Sequence, residues 1–168
     1  MSTQRRTGAI AFGANLGDRA RTLKGALARV EKIPGVVVLK RTAWEPSAPQ
    51  GGPAGQPEFL NGVALVESAL EPLELLDALH AIETHFGRDR SQEELCGPRT
   101  LDLDLLFLGD LVFDEERLQL PHPRMESRLF VLGPLHQLRP EHVLASGRTP
   151  AEAIALLEPA GAANESGA

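Results

Sequence analysis

The sequence predicts an α+β fold, an antiparallel sheet backed by helices and carrying long loops. Three observations predict it. Apolar runs of strand length occur four times, two stretches of helical spacing lie among them, and glycine- and proline-rich segments fill the intervals.

The elements follow in order. Thr7 to Phe12 is a short apolar run that stops at Gly13 and reads as a buried strand. Gly13 to Asp18 is a turn, and Asp18 suits the cap of the next helix. Leu23, Leu27 and Val30 form that helix's inner stripe, and Pro34-Gly35 ends it. Val36 to Trp44 reads as a second strand. Glu45 to Glu58, with four prolines and three glycines, reads as a long working loop. Phe59 to Glu67 is a third strand. Pro72 opens a helix carried by Leu75, Leu79, Ile82 and Phe86, and Gly87 closes it. Arg88 to Thr100 is a second long polar loop. Leu101 to Leu108 is a fourth strand, turned at Gly109-Asp110. Arg124 to His136 is expected to be helical in part, and Thr149-Pro150 to start a short last helix. The order strand-helix-strand-strand-helix-strand is ferredoxin-like. It predicts one domain over residues 7–158, with flexible tails at 1–6 and 159–168.

Composition narrows the function. The 168 residues suffice for one core, and 42% hydrophobic and 24% charged content is ordinary for a globular chain. A net charge of -6 argues against a general nucleic-acid binder or a polybasic membrane-surface protein. No apolar run is long enough for a membrane span, and Met1 to Thr7 lead into no apolar signal region. The one cysteine, Cys96, forms no internal disulfide, so a cytoplasmic location is expected.

Leu101-Asp102-Leu103-Asp104-Leu105 alternates strictly. In a strand both aspartates share one face, about 6–7 Å apart, and the leucines anchor the other. A divalent cation relieves the repulsion between such carboxylates, and magnesium takes one or two of them with phosphate and water. A solvated strand face would show the same alternation. Aspartate is nonetheless a poor strand residue, and Arg99 sits directly before the pair with Arg88 and Arg90 upstream. Arginines around a metal are suited to phosphate. His122, between Pro121 and Pro123, joins Arg128 as a further phosphate candidate. Arg117 follows Asp114, Glu115 and Glu116, which could pair with it. There is no P-loop, no G-x-G-x-x-G and no G-x-S-x-G, and His80 and His85 are five apart, wrong for a helical zinc pair.

These motifs resemble the 6-hydroxymethyl-7,8-dihydropterin pyrophosphokinase family. The resemblance runs from about Ala9 to about Arg139. It rests on Gly13-Ala14-Asn15-Leu16-Gly17, on Gln56-Pro57-Glu58-Phe59-Leu60-Asn61, on Gly87-Arg88, on Gly97-Pro98-Arg99-Thr100-Leu101-Asp102-Leu103-Asp104, and on Pro121-His122-Pro123 with Arg128 and Phe130. It implies ATP as donor, AMP as second product, magnesium as two ions, and small-molecule partners for a monomer. It also implies roles. Asp102 and Asp104 resemble the metal ligands. Arg88, Arg90, Arg99, Arg117, His122 and Arg128 resemble nucleotide and phosphate contacts, with Glu83 and Leu105 beside the nucleotide. Arg88 and Arg99 would join the aspartates in catalysis. Asn61, Phe59 and Phe130 resemble pterin contacts, and Ser47 to Gln50 would offer backbone groups to the pterin. Ala14 stands where serine is frequent, and Leu95 and Cys96 stand where basic and aromatic residues are usual. A ligand sensor without turnover and an RNA-binding module are the rival classes. The absence of tyrosine and the acidic strand oppose the second.

Overall fold

The structure, a computed structural model, describes residues 4–49, 52–89, 91 and 99–158. The first strand, β1, runs Arg6–Ala14, and helix α1 runs Arg19–Glu31. Strands β2 (Val36–Arg41), β3 (Glu45–Ser47) and β4 (Phe59–Ser68) follow. Helix α2 (Pro72–His85) leads to β5 (Asp102–Leu108). A small hairpin, β6 (Phe113–Glu115) with β7 (Leu118–Leu120), precedes a 3-10 turn at Met125–Ser127. Helices α3 (Leu129–Leu138) and α4 (Pro150–Leu157) complete the described chain.

The sheet order is β2-β4-β1-β5, with β3 added to β4, and every pairing is antiparallel. One face carries α1 and α2: Ile10 and Phe12 pack with Leu23, Val30, Leu75, Leu79, Leu103 and Leu105. The other carries α3 and α4: Ala9, Ala11, Val63 and Leu65 pack with Val131, Leu132, Leu135 and Ala153. The expected helix-backed sheet is therefore covered on both faces.

The expected caps form. Asp18 accepts a hydrogen bond from the Arg21 N–H at 3.2 Å, and Thr149 accepts one from Glu152 at 3.3 Å. Gly87 adopts φ +88°, the left-handed turn that glycine allows after a helix. Several boundaries differ from expectation: β1 runs on to Ala14, past the turn expected at Gly13, β5 starts at Asp102, and three further differences are informative. β1 begins at Arg6, whose Cα pairs with Ser68, so this residue belongs to the sheet rather than to a tail. β2 stops at Arg41 rather than Trp44, because the Thr42 hydroxyl accepts the Val63 N–H at 3.0 Å in place of a ladder carbonyl. Three residues of the proline-rich segment, Glu45–Ser47, pair with β4 as an edge strand, where proline is tolerated. The segment 159–168 lies outside the described residues, as do Gln50, Arg90, Leu95 and Cys96.

The pairing of β1 with β5 shifts register between Ala9 and Ile10, and Leu106 is the extra residue. Leu106 and Phe107 both enter the α3 side of the core. The Leu106 carbonyl accepts the His122 N–H at 2.7 Å, which fixes the segment after β7 beside β5.

Candidate active site

A pocket of about 520 Å³ opens where β1, β3, β4 and β5 meet the 3-10 turn and the start of α3. Strand alternation decides its floor. Asp102 and Asp104 line it, while Leu103 and Leu105 are turned into the core at 2% exposure each. Arg99, His122 and Arg128 line it from one side, and Ser47, Phe59, Asn61 and Phe130 from the other.

The charges interlock. Arg99 Nη1 lies 3.4 Å from Asp102 Oδ2, and Arg128 Nη1 lies 3.5 Å from Asp104 Oδ2. The Arg128 guanidinium also sits 5.6 Å from the centre of the Phe130 ring. Burial presses the Asp102 carboxyl upward, but the guanidiniums of Arg99 and Arg88 outweigh it and hold this carboxyl below its ordinary range. Burial and the neighbouring Asp102 charge push the Asp104 carboxyl up to about 8, against the pull of Arg128. Two carboxylates in one pocket, one of them driven towards its neutral form, are a donor set that a divalent cation stabilises. Among the described residues no group of three or more metal-ligating side chains gathers. A cation held here would take its remaining ligands from water or a bound phosphate, which suits magnesium.

His122 has a defined tautomer. Its Nδ1 accepts the Arg124 N–H at 3.1 Å, so in the neutral ring the proton is on Nε2. Burial first, then Arg128 and Arg124, pushes its pKa down to about 4. A neutral Nε2–H donor facing the pocket suits an anionic oxygen.

The flat side of the pocket is shaped by close approach. Asn61 is 7% exposed, and its Oδ1 accepts a short hydrogen bond from the Ser47 hydroxyl. A Cβ on Gly13 would lie 2.9 Å from Asn61 Nδ2, so the floor needs glycine there.

Other expected residues lie elsewhere. Arg88 is buried beneath the pocket floor, 2.7 Å from Asp102 Oδ1 and 2.5 Å from Glu83. Glu83 is 1% exposed under β5 rather than on the main pocket. Leu105 was expected beside the nucleotide, but alternation with Asp104 buries its side chain in the core. Arg117 pairs with the exposed Asp77 of α2 and with none of its acidic sequence neighbours, and it lines no part of the pocket. Gln50 and Arg90 fall outside the described residues.

Sequence reasoning missed Arg124 and Ser127, both on the pocket wall, and it missed what Asn15 does. Asn15 is 1% exposed. Its Nδ2 donates to Gln56 Oε1 at 3.1 Å and to the Pro57 carbonyl at 3.2 Å, while its Oδ1 accepts the Arg99 N–H at 2.8 Å. It staples the turn after β1 to the segments before Phe59 and before Asp102. Its sequence signals were its place in the Gly13–Gly17 motif and an asparagine within a glycine-flanked turn, which reads equally as a turn former.

Fold and site together define a class: an α+β protein whose pocket sets two carboxylates and arginines, a set suited to phosphate, beside aromatics and an amide, a set suited to a flat ring. Residues 9–140 match the family described as 7,8-dihydro-6-hydroxymethylpterin-pyrophosphokinase (HPPK). The 2-amino-4-hydroxy-6-hydroxymethyldihydropteridine pyrophosphokinase of Pseudomonas aeruginosa is 43% identical over 146 residues, covering 87% of this chain and 88% of that one. Its namesake in Synechocystis is 42% identical over 141 residues, covering 83% and 70%. The chain belongs to the HPPK family. A solved HPPK-DHPS in complex with substrates superposes with a TM-score of 0.64 at 13% identity, over 91% of this chain. That likeness shows the fold alone, and this chain spans only 44% of the length of that protein.

Proposed function

We propose that the chain transfers a pyrophosphoryl group from ATP to the hydroxymethyl group of 6-hydroxymethyl-7,8-dihydropterin, giving the pterin diphosphate and AMP, a step of folate biosynthesis. The observation that carries the reading is one pocket that joins Asp102, Asp104, Arg99, Arg128 and His122 to Asn61, Phe59 and Phe130. The curated relatives carry the pyrophosphokinase name, and these residues are equipped for both halves of that reaction.

The residues divide the work. Phe59 and Phe130 offer apolar faces to a flat ring, and the Asn61 amide, held by Ser47, reads its polar edge. Arg99 and Arg128 hold phosphate oxygens as fixed positive charges where negative charge builds up during transfer. His122 donates its Nε2 proton to a phosphate oxygen without itself titrating near neutral pH. Asp102 and Asp104 would hold magnesium, as two ions. A magnesium ion bound there would supply neutralisation of phosphate charge and a lowered pKa for a bound hydroxyl. The aligned groups lower the barrier chiefly by position and electrostatics, as in other phosphoryl transfers.

Asp104→Ala tests the assignment. It should cut AMP formation by about a hundredfold or more while the fold persists. Near-normal turnover in that variant removes Asp104 from the metal site.

A further inference from the structure

One short segment, Pro121 to Arg128, brings His122, Pro123, Arg124, Ser127 and Arg128 to the pocket. In sequence it holds two arginines and one acid, Glu126. That acid does not serve the arginines. Its carboxylate accepts the Ser146 N–H at 3.2 Å and a short bond from the Ser146 hydroxyl, which ties it to the loop before α4. The segment therefore offers the pocket cations and keeps its acid elsewhere.

The arginines of the pocket are used differently. Arg128 faces Asp104 at 3.5 Å, and Arg99 faces Asp102 at 3.4 Å. Arg124 is exposed on the same pocket, and its guanidinium makes no ion pair or hydrogen bond with any other of the described residues. Its backbone is nonetheless fixed. The Arg124 N–H donates to His122 Nδ1 at 3.1 Å, and its carbonyl accepts the Ser127 N–H at 3.1 Å and the Ser127 hydroxyl at 2.9 Å. Its charge reaches the site: after burial and Arg128, Arg124 also disfavours a proton on His122. Three arginines thus line a pocket with two aspartates, one of them pushed towards its neutral form. The surplus is positive, and a bound divalent cation would enlarge it. A ligand with several negative charges balances such a set.

We propose that Arg124 is a phosphate-contact residue, a third guanidinium that grips the phosphate chain of ATP beside Arg99 and Arg128. The inference rests on the reading above that this pocket takes ATP, and it deepens that reading. Arg124 belongs to the phosphate side, because its backbone is bonded to His122, while Phe59 and Asn61 line the other side.

The test is titration of the whole chain, with magnesium present, by α,β-methylene ATP, whose transferable group cannot leave. Arg124→Gln keeps the backbone N–H that orients His122, and it should weaken this binding about tenfold, the scale of one hydrogen bond to a charged group. Arg124→Glu reverses the charge and should weaken it more, by about a hundredfold. Turnover gives a second readout. In Arg124→Gln the KM for ATP should rise about tenfold while the KM for the pterin stays within about threefold, because the contact is made to one substrate only. Equal rises in both KM values would make Arg124 a support of the pocket wall and would overturn the contact. A parent that binds the analogue and forms AMP, beside variants of unchanged affinity, would overturn the contact alone. A parent that neither binds the analogue nor forms AMP would overturn it together with the reading of the pocket.

Discussion

Asp104 concentrates the conflict between holding a ligand and holding a fold. Its carboxyl is pressed by burial and by Asp102, and Arg128 pulls the other way from 3.5 Å. Asp104→Asn should therefore melt at a higher temperature than the parent when magnesium is withheld, and calorimetry with EDTA present checks this. Equal or lower melting would show that the pair carries no strain. His122 gives the pH prediction. Burial and the flanking arginines favour the neutral ring, so protonation waits until pH falls towards about 4, well below the ordinary histidine value. Because its native pKa is depressed, its contribution to stability is full above the unfolded value and declines as pH falls from about 6.5 towards 4. Imidazole NMR should show the Nε2–H tautomer at pH 6, and a bound polyphosphate should raise the pKa. A free-protein pKa above 6.5 would contradict the site's electrostatics. The Asp pair was legible at this scale, because L-D-L-D-L alternation admits few strand readings. Arg117 was not, since its partner Asp77 lies forty positions earlier and only folding brings them together.

At the scale of elements, alternation in β5 does two things at once: Leu103 and Leu105 fill the core and Asp102 and Asp104 line the pocket. The same rule turns the Leu105 side chain away from the pocket that Asp104 lines, into the core. Glycines set other close approaches. A Cβ on Gly62 would come within 2.5 Å of the Trp44 ring, which also carries Arg41 at 5.3 Å. Gly62→Ala should cost about 1–3 kcal/mol by overpacking, measured by denaturant unfolding. Unchanged stability would mean that Trp44 swings away freely. Helix ends were legible because caps are local: Asp18, Pro72, Gly87 and Thr149 each act within a few residues. Strand ends were less so. β2 stops where a threonine side chain substitutes for backbone, and β3 forms only because β4 is there to receive it. Neither event has a local sequence signal.

For the whole molecule, strand and helix order was readable but placement was not. Helices α3 and α4 cover the sheet face opposite α1 and α2. The pocket exists because that cover stops short, leaving the ends of β1 and β5 open beside the 3-10 turn. A hydrophobic stripe says that a helix is buried, not against which face, so this layer emerges only in three dimensions. The site draws on segments from Ala11 to Phe130, and Asn15 ties three of them together. The most direct measurement is product analysis with ATP, magnesium and 6-hydroxymethyl-7,8-dihydropterin, with an EDTA control. AMP appearing in step with the pterin diphosphate, and abolished by EDTA, is the predicted result. ADP as the nucleotide product, or binding of both ligands with no turnover, would contradict it.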